Sequence, residues 1–258
     1  MKITFIGTVG SALTKELTYS SILIDDSLLL DYGEGTTQKL IGLNCINSIE
    51  NICLTHLHND HFLGIFSMLW YYWIISQRKN ALKIIGPPNT DSTITSILKL
   101  INTPDDAIKF DLKFEILRNT DKIQIFKLLN YNIKSIRVVH TPIAFAYRIE
   151  NINSKKSICY VGDSSPCENI INLAKKCDVL ICESTFPDEY KKFAHKYGHC
   201  TPSDAAEIAN QAEIKTLILT HISAVFQNEK DLNRIKNQAE NKFKNKIIIA
   251  KDLMTLKI

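Results

Sequence analysis

The sequence contains no CxxC pair, and its seven cysteines, Cys45, Cys53, Cys159, Cys167, Cys177, Cys182 and Cys200, are odd in number. Both features argue against a disulfide framework and against a thiolate zinc site. Most of these cysteines lie in apolar runs such as Ile52-Cys53-Leu54, which reads as small buried hydrophobes in a reducing compartment. No run is long enough to cross a bilayer: the most apolar stretch, 62–75, falls short of the roughly 20 residues a spanning helix needs. The opening MKITFI is too short for a secretory h-region, so no export signal is expected. Linkers, repeats and low-complexity blocks are missing as well, and the 258 residues read as one domain, 1–258. Charge is nearly balanced. A net +4 does not identify a nucleic-acid binder, although it admits an anionic substrate.

What is present is an ordinary globular composition, 45% apolar and 22% charged, rich in Ile, Lys and Asn. That bias suits an AT-rich genome and points to the cytoplasm or to the stroma or matrix of an organelle such as a plastid. Short apolar runs predict strands over 3–6, 21–24, 27–30, 51–54, 82–85, 133–139, 145–149, 157–161, 179–182, 216–219 and 246–249. Asp25-Asp26 and the stretch 151–156 read as hairpin turns. Helical periodicity covers 36–41, 62–75, 91–100, 166–175, 202–212 and 229–242, with 62–75 read as one buried helix. Thr201-Pro202-Ser203-Asp204 is a helix start, with proline in the first turn and an acid near the positive end of the dipole. Strands mixed with covering helices predict an α/β chain built on two packed sheets with helices outside.

The informative segment is Leu54-Thr55-His56-Leu57-His58-Asn59-Asp60-His61. An apolar strand runs into it and an apolar helix follows. In an extended stretch His56 and His58 point the same way, while Asp60 and His61 fall at the turn into the helix. Imidazole nitrogen and carboxylate oxygen together suit a divalent transition metal. Three of the seven histidines within six positions is not what a random polar loop gives.

HxHxDH resembles the signature of the metallo-β-lactamase superfamily, whose fold is a four-layer αββα sandwich. The resemblance implies further ligands at strand ends, and three segments fit: Val138-Val139-His140, Tyr160-Val161-Gly162-Asp163 and Leu219-Thr220-His221. Singly, each would be a polar residue capping a strand. In this order and spacing they imply one metal held by His56, His58 and His140, a second held by Asp60, His61 and His221, and Asp163 between them. Two divalent ions are implied, zinc first, with manganese or iron accepted by the same donors. A metal pair can clamp a phosphodiester and lower the pKa of water towards 7.

Other segments are similar to ribonuclease Z: Gly7-Thr8-Val9-Gly10-Ser11-Ala12, Asp31-Tyr32-Gly33-Glu34-Gly35-Thr36, His140-Thr141-Pro142 and Tyr147-Arg148-Ile149-Glu150. Cys182-Glu183-Ser184-Thr185-Phe186 resembles that family's HEATF segment with Cys182 in place of histidine, and Gly198-His199-Cys200-Thr201 resembles its GHST motif. The resemblance implies that His199 protonates the leaving oxygen, that Glu183 orients or charges His199, and that Asp60 can also accept the proton of water. His195 matches nothing in this pattern and reads as a surface residue. One departure stands out. The family carries a long arm that grips the transfer-RNA elbow, and only 151–156 occupies its place here.

The resemblance therefore implies a phosphodiesterase that removes the 3′ trailer from precursor transfer RNA and acts as a homodimer away from membranes. The missing arm keeps a second substrate class open, cyclic nucleotides. A third reading is a catalytically silent metal-binding subunit of an RNA-processing complex, against which the full ligand set argues. Lys191, Lys192 and Lys196 lie near His199, and six more basic residues lie between 230 and 246. Clustered cations favour phosphate polymers, but Glu229, Asp231 and Glu240 among the latter make a solvated helix face at least as good a reading.

Overall fold

The fold is described from a computed structural model covering residues 1–128 and 130–258. Sixteen strands run in the order β1 (Lys2–Gly7), β2 (Val9–Gly10), β3 (Ser21–Ile24), β4 (Leu28–Leu30), β5 (Asn51–Cys53), β6 (Leu82–Gly86), β7 (Leu112–Ile116), β8 (Gln124–Leu128), β9 (Tyr131–Val138), β10 (Ala144–Asn151), β11 (Ser157–Val161), β12 (Val179–Glu183), β13 (Thr216–Thr220), β14 (Ile222–Ser223), β15 (Lys246–Ile249) and β16 (Thr255–Lys257). They form two seven-stranded sheets, ordered β16-β1-β3-β4-β5-β6-β7 and β15-β13-β12-β11-β10-β9-β8. The short pair β2–β14 is a third, two-stranded sheet.

Strand periodicity sorts the core. Successive side chains face opposite sides of a sheet. Ile22 and Ile24 of β3 and Leu28 and Leu30 of β4 pack inward, against Tyr147, Ile158, Tyr160 and Ile181 of the other sheet. Their neighbours Leu23 and Leu29 face outward, onto the first sheet's helices, which carry Leu40, Ile65, Met68 and Ile94. On the second sheet Cys159, Val161, Leu180 and Leu217 face outward onto Ile170, Ala205, Ala209 and Ile235. Helix, sheet, sheet and helix therefore stack as the four expected layers. The helices are α1 (Thr36–Gly42), α2 (Asn59–Phe62), α3 (Gly64–Tyr71), α4 (Thr90–Leu100), α5 (Glu168–Ala174), α6 (Lys191–Lys196), α7 (Pro202–Gln211) and α8 (Glu229–Lys242).

All eleven predicted strands are present. The ones not foreseen are the two-residue strands β2 and β14, together with β7, β8 and β16, which are sheet edges. Edge strands are half solvated, so β7 (LKFEI) and β8 (QIFKL) carry charge among their apolar residues and lack a continuous apolar run. The helix expected over 62–75 needs correction. It is broken at Leu63, where the Gly64 N–H bonds to the Tyr32 carbonyl of another segment at 3.1 Å. It then ends in a π-turn, Tyr72–Ser76, on which Ile74 and Ile75 are exposed rather than buried. The other helices hold to within two residues, and Thr201 closes a capping box with Asp204 at the start of α7. α6 was not foreseen.

The fold concentrates chemistry on one rim. β4 to β7 run parallel, as do β11, β12, β13 and β15, while β9 lies antiparallel to β10 and so shares the direction of β11. The segments just after β5, β9, β11, β12 and β13 thus emerge together at strand carboxyl ends, the usual ligand side of parallel sheets. Six of the seven cysteines are buried, Cys167 is half-buried, and all are free.

Candidate metal centre

His56, His58, His140 and Asp163 converge into one cluster, and Asp60, His61 and His221 into a second. The inward atoms are specific. His58 Nδ1 lies 3.1 Å from His56 Nε2 and 3.3 Å from His140 Nε2. Asp163 Oδ2 stands 3.6 and 3.8 Å from those two Nε2 atoms. In the second cluster His61 Nε2 and His221 Nε2 are 3.1 Å apart, and Asp60 Oδ2 is 3.3 Å from the latter. Asp163 Oδ1 faces this cluster, 3.3 Å from His61 Nε2 and 3.2 Å from His221 Nε2. One carboxylate therefore turns one oxygen to each cluster, and the structure brings all seven residues expected as ligands together.

The outer nitrogens explain why the inner ones carry lone pairs, since a histidine's outer partner sets its tautomer. His61 Nδ1 donates to Asp31 Oδ2 at 2.8 Å, and His140 Nδ1 donates to the Gly198 carbonyl at 2.9 Å. Two threonines relay the same instruction from buried carboxylates. Thr55 Oγ1 donates its only proton to Asp31, at 2.9–3.0 Å, so it accepts from His56 Nδ1 at 3.0 Å. Thr185 Oγ1 donates to Glu183 Oε2 at 2.6 Å, so it accepts from His221 Nδ1 at 2.9 Å. With their outer nitrogens engaged as donors, His56, His61, His140 and His221 can each present an inner lone pair, while His58 turns Nδ1 inward with no outer partner among the described residues. Asp163 Oδ1 is buried with no hydrogen-bond partner. Lone pairs aimed at one another and an orphaned buried carboxylate oxygen are satisfied by cations, and an N/O donor set of this kind fits divalent metals.

Asp31, Thr55 and Thr185 lie inside quoted motifs, yet sequence reasoning gave them no role. Asp31 also accepts from the Thr55 N–H at 2.7 Å and the Tyr160 hydroxyl at 2.7 Å. Its φ of 58° is the one signal beyond burial: Asp31 and His221 (φ 56°) both hold left-handed backbone, a cost that cores rarely keep without a function. Burial alone would neutralise Asp163 and Asp60. When the surrounding imidazoles carry a proton, His221 and His61 foremost, they instead hold both carboxyls below the usual carboxylate range, and the same carboxylates outweigh burial and hold His61 above its ordinary value.

His199 adjoins the second cluster, where with Asp163 and His221 it forms a third group of donors. Its Nδ1 lies 3.0 Å from Glu183 Oε1, which also accepts the Ser164 N–H at 3.0 Å. Burial pulls the imidazole down, but the adjacent Glu183 carboxylate outweighs it and lifts the value to about 9. Glu183 is fully buried, with its oxygens taken by Ser164, Thr185 and His199. His195 is on the surface as expected, but it is not idle. Its Nε2 lies 2.8 Å from Asp204, the acid that caps α7 and also pairs with Lys191. The basic stretch of α8 is a solvated face with internal ion pairs, Arg234–Asp231 and Lys236–Glu240.

Comparison with known proteins agrees with this geometry. The family model described as a beta-lactamase superfamily domain matches residues 29–222. Ribonuclease Z of Methanocaldococcus jannaschii is 30% identical over 312 aligned positions, covering 100% of this chain and 97% of the relative. Ribonuclease Z of Picrophilus torridus is 30% identical, covering 94% and 91%. The crystal structure of human tRNase Z, short form, superposes with a TM-score of 0.81 at 25% identity, covering 100% of this chain and 99% of that one. With the family match spanning most of the chain and full-length relatives at this identity, the chain belongs to the metallo-β-lactamase superfamily, in its ribonuclease Z branch.

Proposed function

We propose that this chain is a dinuclear-metal phosphodiesterase that removes the 3′ trailer from precursor transfer RNA. The observation that carries the reading is Asp163, one buried carboxylate turned to two donor clusters, beside the His199–Glu183 pair. In this reading His56, His58, His140 and Asp163 hold one ion, and Asp60, His61, His221 and Asp163 hold the other, with zinc preferred. A bound divalent pair supplies positive charge to the scissile phosphate and lowers the pKa of water towards 7. Asp60 orients the attacking water and receives its proton. His199, kept protonated by Glu183, gives its proton to the departing oxygen, which is otherwise a poor leaving group. Asp31, Thr55 and Thr185 hold the ligand rings in the tautomer that faces inward.

A second reading keeps the centre and changes the substrate to a cyclic nucleotide. A specific observation favours it: β10 and β11 are joined by a tight turn between Asn151 and Ser157, where the family's arm is expected. The alignment to the M. jannaschii relative spans 312 positions against 258 residues, so more than 50 positions of that alignment have no counterpart here. The deciding experiment offers zinc- or manganese-loaded protein a 3′-extended precursor transfer RNA and a set of cyclic nucleotides. Trailer release is the expected result, and hydrolysis of the cyclic compounds alone overturns the transfer-RNA reading. We read 1–258 as one domain that works as a homodimer in the cytoplasm or an organellar stroma or matrix. Among the described residues no helix is long and apolar enough to cross a membrane.

A further inference from the structure

Outside the metal clusters, the surface next to His199 carries a continuous band of aromatic rings. Tyr197 packs 4.6 Å from Phe193, Phe193 packs 5.2 Å from Phe186, and Phe186 packs 5.7 Å from the His199 imidazole. A branch continues from Phe186 to Phe226 at 6.4 Å and on to Tyr190 at 5.4 Å. Three of these rings are solvent-facing: Tyr190 is 46% exposed, Phe193 48% and Tyr197 52%. Phe193 lies on α6 and Tyr197 directly follows it, and the Tyr197 N–H bond to the Phe193 carbonyl at 3.2 Å keeps the two rings on one side of the chain. Gly198, at φ 77°, then turns the chain and delivers His199 to the centre. The ring-bearing helix and the proposed acid are thus one continuous segment.

Both signs of charge flank the band, and the carboxylates among them have partners within the protein: Asp188 accepts from the Ser203 N–H and hydroxyl, Glu189 accepts from Gln238, and Asp204 pairs with Lys191 and His195. Among the described residues neither Lys192 nor Lys196 belongs to an ion pair. Lys196 Nζ sits 5.3 Å from the Tyr197 ring centre. Lys196, Tyr197 and Gly198 also border a cavity of about 420 Å³ shared with Arg137, His140 and Thr141, so the band runs into an open recess beside His140. Exposed rings interleaved with unpaired cations and leading to a phosphate site fit a flexible polyanion with flat faces, which is single-stranded nucleic acid.

We propose that Phe186, Tyr190, Phe193, Tyr197 and Phe226 form a stacking platform for unpaired RNA bases next to the scissile phosphate, with Lys192 and Lys196 holding the backbone. The proposal rests on the phosphodiesterase reading above and adds a means of grip to a chain with only a turn in place of the arm. Base–aromatic stacking is sequence-tolerant, and its loss on alanine substitution weakens binding about 5- to 150-fold per base.

The test is fluorescence anisotropy with the whole, zinc-loaded protein and phosphorothioate-backbone probes, so that binding is read with cleavage suppressed. The probes are short fluorescein-labelled oligoadenylate and a duplex RNA of the same length. Phe193→Ala with Tyr197→Ala is expected to weaken single-strand binding about tenfold or more and duplex binding less than about twofold. Tyr197→Trp, which keeps a ring, is expected to retain the single-strand affinity. Equal loss for both probes, or no loss for either, overturns the proposal. So does a result in which the double variant dissociates a dimer while single-strand binding is unchanged, since the band is then an interface between copies. Hydrolysis of bis(p-nitrophenyl) phosphate by the metal-loaded wild type tests the phosphodiesterase reading separately, so either can fail while the other stands.

Discussion

At the scale of single residues the account depends on partners that never touch substrate. Glu183 raises His199 to about 9, so the imidazolium is populated at neutral pH. The sign follows directly. A histidine whose folded value lies above its ordinary 6.5 lends stability that is full below 6.5 and lost as pH rises through about 9. An acid that must be protonated loses activity over the same upper range. Glu183→Gln removes the charge that holds the proton, and the basic limb of a kcat–pH profile is expected to move from about pH 9 towards 6.5. An unmoved limb would separate His199 from the acid role. Asp31 acts on ligands in the same indirect way. Asp31→Ala strips partners from His61, Thr55 and Tyr160. Metal affinity in a chelator-competition titration is expected to fall about 10- to 100-fold, as for other outer-shell carboxylates.

At the scale of elements the turns set the geometry. Gly198 holds left-handed backbone, and a Cβ there would stand 2.5 Å from His140 Nδ1. Gly198→Ala is therefore expected to lower Tm by several degrees and to weaken metal binding, because backbone strain and displacement of a ligand ring add. Gly42, at the end of α1 with open space around it, is the control: Gly42→Ala is expected to leave Tm level or slightly higher. A thermal-shift series with and without zinc reads both. The same elements mark how far sequence reasoning reaches. Interior strands such as β11 and β12 declare themselves, since burial on both faces demands unbroken apolar runs. Edge strands β7, β8 and β16 do not, because half-solvated positions accept Lys, Glu and Gln. The break at Leu63 is equally silent, being fixed by a bond from Gly64 to Tyr32, about 30 residues away in sequence. The clustered donors were legible because HxHxDH compresses four of them into six positions. Asp31, Thr55 and Thr185 were not, because a second carboxylate or hydroxyl beside a motif has no spacing of its own and is identified only by what it touches.

At the scale of the whole molecule, each sheet supplies part of the centre. His56, His58, Asp60 and His61 follow β5 of the first sheet, while His140, Asp163 and His221 follow β9, β11 and β13 of the second. Bound metal would therefore tie the two sheets together, and stability and catalysis draw on the same bonds. The mild net charge fits as well. A net charge of +4 and a tight turn where an arm is expected place more weight on local contacts near the centre. On the proposed reading, affinity for substrate comes from the metal centre and from local surfaces such as the aromatic band around α6. The central claim is that Asp163 is shared by two metal ions. Native mass spectrometry of the zinc-reconstituted protein tests it most directly, by counting ions per chain in the wild type and in Asp163→Ala. The account predicts two ions in the wild type and at most one in the variant. One ion in the wild type, or two retained by Asp163→Ala, would contradict it.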